Sequence, residues 1–129
     1  MAFLFRKSSN VGNAPEIIQV PATISEEYVV GEALTVSSGA VTKAASTVKP
    51  EYISAEKKTA KTGDTLSCYL VEHNQEYETV TSADGALTVG AKYTLDSTAT
   101  KVTATATNGV AEVVSVAGTT AGSKVVVRL

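Results

Sequence analysis

Catalysis needs a nucleophile beside a base, a ligand set for a metal, or a pair of carboxylates, and this chain offers little for any of them. His73 is the only histidine and Cys68 the only cysteine. Within one chain, neither a His pair nor a Cys–His cluster can be assembled around a metal ion. The two residues stand five apart, a spacing that puts side chains on opposite faces of a continuous strand. A Cys–His dyad, whose members must lie within hydrogen-bond reach, is therefore not expected. Cys68 reads as a small buried hydrophobe in phase with Leu66 and Leu70. His73, in Glu72-His73-Asn74-Gln75-Glu76, reads as a solvated polar residue. A single cysteine also excludes a disulfide within the chain, so an oxidising compartment would add no stability.

Glu72, Glu76 and Glu78 form an acidic cluster with no cation near them in the sequence. Paired carboxylates do acid–base work in glycosidases and oxygen clusters bind calcium. Here there is neither a calcium-loop spacing nor an aromatic platform for a sugar. Glu76 and Glu78 share a face at strand spacing, and the three are expected to be a solvated acidic face or charges complementary to a partner. Lys57-Lys58-Thr59-Ala60-Lys61 reads as a charged surface turn. Gly118-Thr119-Thr120-Ala121-Gly122-Ser123 has two glycines but no helix to follow, so it is a β-turn and not a phosphate cradle. No enzyme activity, metal or cofactor is expected.

The elements that carry these residues are organised by an internal repeat. Val30-Gly31 recurs as Val89-Gly90, and the same offset of 59 residues carries Thr35 onto Thr94, Ser38 onto Ser97, Gly63 onto Gly122 and Leu70 onto Leu129. Fixed-period similarity of this kind marks a repeated structural unit. The identities are few, but the alternation of apolar residues stays in phase, which preserves the buried face of each strand. Thr65 to Leu70 and Lys124 to Leu129 match in this way, as do Leu34 with Val36 and Tyr93 with Leu95. In the middle, Tyr52-Ile53-Ser54-Ala55 aligns better with Val113-Val114-Ser115-Val116, so a slip is expected there. The division that follows is an N-terminal arm, residues 1–11, and two modules, 12–70 and 71–129.

The composition is rich in Val, Thr, Ala, Ser and Gly, and no stretch carries a helical apolar stripe. The fold class expected is all-β: two tandem small β-barrel or β-clip-like modules of about five short strands each. A hairpin with a Ser37-Ser38-Gly39 tip, and a second at Asn108-Gly109 between strands at 101–107 and 110–116, are its clearest local signals. Units of 59 residues bury only about 60% of their unfolded surface, so the two should lean on each other. A net charge of −2 provides no basic field for direct nucleic-acid binding. No run approaches the length of a membrane span, and Met1 to Phe5 is too short for a secretory leader. Synthesis and folding in the cytoplasm are expected.

Both phenylalanines of the chain lie within its first five residues, separated from the modules by a polar, Gly-containing connector. Exposed apolar clusters mark interaction sites. Phe3, Leu4 and Phe5 are accordingly expected to form a mobile hook for a partner, with Arg6 and Lys7 at its rim. On that expectation, removal of residues 1–7 leaves the β body folded.

The run from Val30 to Ala44, with Thr62-Gly63-Asp64-Thr65-Leu66, carries G-x-x-L-x-V, a glycine hairpin, V-x-K-A and a closing G-D-x-L. This pattern resembles the small β modules of tailed-phage head decoration proteins. The second copy keeps it at Gly90, Tyr93, Leu95, Val102 and Gly122-Ser123-Lys124-Val125, with Ser123 in place of the aspartate. The resemblance implies a structural cement protein on the outer capsid surface of a virion, made in the host cytoplasm. Its partner would be the major capsid protein. It also implies self-association, a trimer first, although two modules in one chain admit a dimer or monomer. The alternatives are a tandem adhesion or tail module, which needs exposed tyrosines, and a lipoyl-type carrier, which needs a lysine at a hairpin tip that Lys57-Lys58 does not supply.

Overall fold

The computed structural model describes residues 2–8 and 15–129, with Lys7 and Ser8 described by their backbone alone. The boundary expected at residues 11 and 12 lies outside the described residues. The chain is all-β, without a helix among those residues. Its strands are β1 (Leu4–Ser8), β2 (Ile17–Pro21), β3 (Glu27–Tyr28), β4 (Ala33–Ser37), β5 (Ala40–Lys43) and β6 (Tyr52–Ser54). They continue as β7 (Lys58–Thr59), β8 (Thr65–Leu70), β9 (Gln75–Val80), β10 (Lys92–Tyr93), β11 (Ala111–Val116) and β12 (Lys124–Arg128). One sheet has the order β2-β8-β6-β4-β5, a second the order β1-β9-β12-β11-β10, and β3 with β7 makes a small ribbon. All strand pairs are antiparallel and both large sheets are open, so the expected barrels do not form among the described residues. In the first sheet only a single bridge, Ala22 to Val41 just beyond the end of β2, joins the outer strands, which does not close it. The sheets bury their faces by packing instead.

The pairings of the two sheets are related by the 59-residue offset. Val20↔Leu66 in the first becomes Thr79↔Val125 in the second, and Ile53↔Tyr69 becomes Glu112↔Arg128. Leu34↔Tyr52 becomes Tyr93↔Ala111. Loop hydrogen bonds follow the same rule: Gly31 N to Ser54 O at 2.8 Å is matched by Gly90 N to Val113 O at 2.8 Å. The slip expected at Tyr52 lies earlier. Val36↔Val41 closes the β4–β5 hairpin, whereas Leu95 bridges Val102, so the second hairpin has two additional residues. Asp96 organises that longer turn, its Oδ1 accepting the Thr100 and Lys101 backbone N–H groups at 3.1 and 3.0 Å. The misleading match near Val113 comes from a bulge in β11 between Val113 and Ser115, which displaces the apolar phase.

Ser38 and Gly39 both have positive φ, 52° and 80°, the backbone that a two-residue hairpin turn demands. Asn108-Gly109 does not make its hairpin. Residues 101–107 hold only a bridge at Val102, and Gly109 instead lies against β10, where a Cβ would run into the Lys92 carbonyl. The expected turn at 57–64 likewise contains β7, whose pairing with β3 lets Tyr28 bury.

One buried cluster collects residues from the whole described chain: Phe3, Ala33 and Ile53 pack with Tyr77, Leu95, Val102, Val113 and Val127. A smaller one, with Tyr28, Leu34, Val41, Leu66 and Cys68, lies under the first sheet alone. The Ala33 N–H donates to the Ala99 carbonyl at 2.8 Å and the Leu95 N–H to the Ser46 carbonyl at 3.0 Å, so the two halves also share backbone hydrogen bonds.

Candidate functional site

Of the residues expected to be a hook, Leu4 and Phe5 lie in β1, the outer strand of the second sheet, paired with β9, and Phe3 directly precedes it. Alternation along the strand divides them. Phe3 is buried in the main cluster and its N–H donates to the Gly31 carbonyl at 3.0 Å. The Phe5 ring meets the Tyr77 ring edge-to-face at 5.9 Å and 75°. Leu4, on the opposite face, is 59% exposed. The aromatic pair is thus part of the core rather than a free hook. Arg6 Nη1 donates to Glu78 Oε2 at 3.0 Å, and the Lys7 side chain lies outside the described atoms.

The acidic cluster is not a solvated face. Glu76 is buried and accepts from Arg128 Nη2 at 3.2 Å, and Glu78 takes Arg6. Both cations come from distant strands, which is why neither was visible near the glutamates in sequence. Glu72 is apart from them at an exposed turn, where its N–H donates to Gln75 Oε1 at 3.0 Å. Glu112 and Lys92 follow Arg128 in the next strands, giving Glu76, Arg128, Glu112 and Lys92 as a row of alternating charge. Lys49 and His73 join Lys92, Glu112 and Arg128 around a small cleft of about 180 Å³.

Cys68 is buried and its thiol is pushed up to about 12, chiefly by burial and also by the nearby Glu56 charge. It is protonated at neutral pH and inert as a nucleophile. His73 stands exposed on the turn after β8. Tyr28, Tyr77 and Tyr93 are buried, and Tyr52 and Tyr69 are half-buried, so the tyrosines present no flat aromatic platform. Burial, with the nearby Tyr69 and Glu72, pushes the Tyr77 hydroxyl well above its usual range, and it donates to Gln75 Oε1 at 2.9 Å.

Glu32 is the residue that sequence inspection passed over. It follows Gly31, whose φ of +84° turns the chain inward, and it is only 2% exposed. Its Oε2 is buried without a hydrogen-bond partner. Burial pushes its carboxyl up to about 7, against the pull of Lys43 and the Val29 backbone N–H and with a further push from Glu26. It lines an open cleft of about 640 Å³ with Glu26, Glu27, Val29, Lys43, Thr98 and Thr100. Glu32 and the four residues from Glu26 to Lys43 come from the first half of the chain and the two threonines from the longer turn of the second. A signal for it did exist: 59 residues on, at the position related by the same offset, stands Ala91.

Comparison with family models, with curated proteins and with solved structures gives no match to this chain.

Proposed function

We propose that this chain is a structural decoration protein that binds the outer surface of a phage head through the major capsid protein and reinforces the shell. The observation that carries this reading is a duplicated apolar surface point. Val30 and Val89 are 57% and 63% exposed, each directly before a glycine of positive φ, 84° at Gly31 and 88° at Gly90. Neither valine serves the chain's own core, yet both are held outward by the same turn in both halves. Apolar side chains set at register-equivalent places suit a partner surface that is itself made of repeated subunits. On this reading the chain is two copies of one module, and Leu4 adds an apolar point on the outer strand. Self-association, as a trimer first, belongs to the same proposal, as do the virion surface as location and a purely structural, non-enzymatic role.

The adhesion alternative gains nothing from the tyrosines, which are turned inward or half-covered. The test is sedimentation of the purified protein with undecorated heads. Wild-type protein is expected to pellet with heads at a saturable stoichiometry. The double variant Val30→Asp, Val89→Asp should lose about two orders of magnitude in affinity, from roughly 1.5 kcal/mol of apolar burial at each site. Failure of the wild-type protein to sediment with heads overturns the reading.

A further inference from the structure

The Glu32 cleft carries an inference that goes beyond shell binding and holds whatever the partner is. We infer that this cleft is a receptor for an arginine side chain presented by a partner protein. Glu32 lines the cleft, and its Oε2 is buried and accepts no hydrogen bond within the chain. A buried acceptor left in this state is costly, and a charged donor from outside is what relieves it. The rim also offers acceptors. Thr98 Oγ1 donates its one proton to Asp96 Oδ2 at 2.7 Å, so the 2.6 Å contact between Thr98 and Thr100 must be a donation by Thr100. Thr100 Oγ1 therefore keeps lone pairs free to accept from a ligand. Glu27 adds a second carboxylate to the lining, and the exposed Val29 gives an apolar wall for a methylene stem.

The chemistry of the occupant follows from this donor–acceptor count. A metal ion is disfavoured, because among the described residues no three His, Cys, Asp or Glu groups are placed to hold one. Glu26 is already committed, its Oε1 accepting from Thr42 Oγ1 at 2.6 Å and its Oε2 from the Lys43 N–H at 3.1 Å. A guanidinium needs no such cage. Its planar fork offers several donors to the Glu32 carboxylate and the Thr100 hydroxyl, which line the same cleft, and it gives up hydration more readily than an ammonium. The cleft is open to the surface and large enough for a whole side chain. Lys43, Glu26 and Glu27 are the other charged groups that face it, and Lys43 would swing outward as the guanidinium enters. Entry of a cation favours the ionised carboxyl, so binding releases the Glu32 proton and weakens as the solution is acidified.

The test uses the full chain, free of any shell, and ethylguanidinium as probe, followed by NMR. Neutral ethylurea and sodium chloride of equal ionic strength are the controls, and N-acetyl-arginine amide reports on a side chain in its peptide setting. Saturable shifts are expected at the amides around Glu32 and Thr98 to Thr100, with binding at least about tenfold weaker at pH 5.5 than at pH 8. Glu32→Gln should abolish the pH dependence and weaken binding at pH 8 about tenfold or more. Thr100→Val, which leaves Glu32 in place, should weaken it about threefold to tenfold. Equal shifts with ethylurea, unchanged binding in both variants, or no saturation at any soluble concentration of the probe would each overturn the assignment. Because no heads are involved, that outcome leaves the sedimentation result standing by itself.

Discussion

Glu32 holds its proton more tightly in the folded chain than in the unfolded one, because burial penalises the carboxylate and the other groups around it do not compensate. Between its ordinary value, 4.5, and about 7 the folded protein keeps a proton that the unfolded chain has released. Stability from this residue is therefore complete below that window, falls as pH rises through it, and is lost above it, a change of up to about 3 kcal/mol. Glu56 works in the opposite sense. Hydrogen bonds from Ser67 hold its carboxyl below the usual range, so its contribution is present near neutrality and is lost on acidification. Comparing Glu32→Gln with the parent cancels the Glu56 effect. In urea titrations the two proteins should be of similar stability at pH 5. At pH 8 the variant should be more stable, by about 1–3 kcal/mol. Equal stability at both values would mean that water or a counter-charge already satisfies the carboxylate. Composition and spacing did not mark Glu32, because burial of one glutamate in a Gly-Glu-Ala turn depends on what the other half of the chain lays over it.

At the scale of strands and turns, the 59-residue offset between the pairings of the two sheets supplies internal controls. Gly31 and Gly90 share a positive φ, but a Cβ at Gly31 would stand 2.6 Å from the Phe3 carbonyl oxygen and 2.7 Å from the Ala2 Cβ, whereas at Gly90 it would meet nothing within 4 Å. Gly90→Ala should cost about 1–2 kcal/mol from backbone strain alone. Gly31→Ala should cost more, because it must also displace the Ala2-Phe3 segment that leads into β1; chemical denaturation of the two variants checks the difference. The two arginine pairs make a second comparison. Arg6–Glu78 is exposed on the arginine side and its loss in Arg6→Ala should cost under about 1 kcal/mol. Arg128→Ala removes a cation from the buried Glu76 and should cost about 2 kcal/mol or more. The strands themselves were legible in sequence: Thr65–Leu70 and Ala111–Val116 lie where the alternation put them. The faces were not. Ala33, Ile53 and Tyr69 pack against the main cluster, and the matching residues Lys92, Glu112 and Arg128 form the charged row on the second sheet. The same register positions are thus apolar in the first sheet and charged in the second, which is why so few identities are seen at the 59-residue offset.

For the whole molecule the decisive element is β1, because it ties the start of the chain to both halves. It adds a fifth strand to the second sheet through Leu4↔Glu78 and Phe5↔Tyr77, while Phe3 bonds to Gly31 in the first half and fills the shared cluster. Sequence alone could not show this, since an apolar segment beyond a polar connector reads equally well as a hook or as a strand returning to its own sheet. The geometry reverses the expected result of truncation. Loss of residues 1–7 would open the β9 edge, uncover Tyr77 and leave a void where Phe3 stood, so the body should be severely destabilised instead of remaining intact. A bare interior strand is also a template for pairing between molecules, and the truncated protein should aggregate. Phe3→Ala isolates the packing part of this effect: a buried phenylalanine reduced to alanine costs about 3–5 kcal/mol, which in a domain of this size lowers the melting temperature by about 10 °C or more. Leu4→Ala is the control on the same strand, because Leu4 faces solvent and should shift the melting temperature little. If Phe3→Ala and Leu4→Ala melt together with the parent, β1 does not hold the halves together, and the strand would be free to serve as a hook after all.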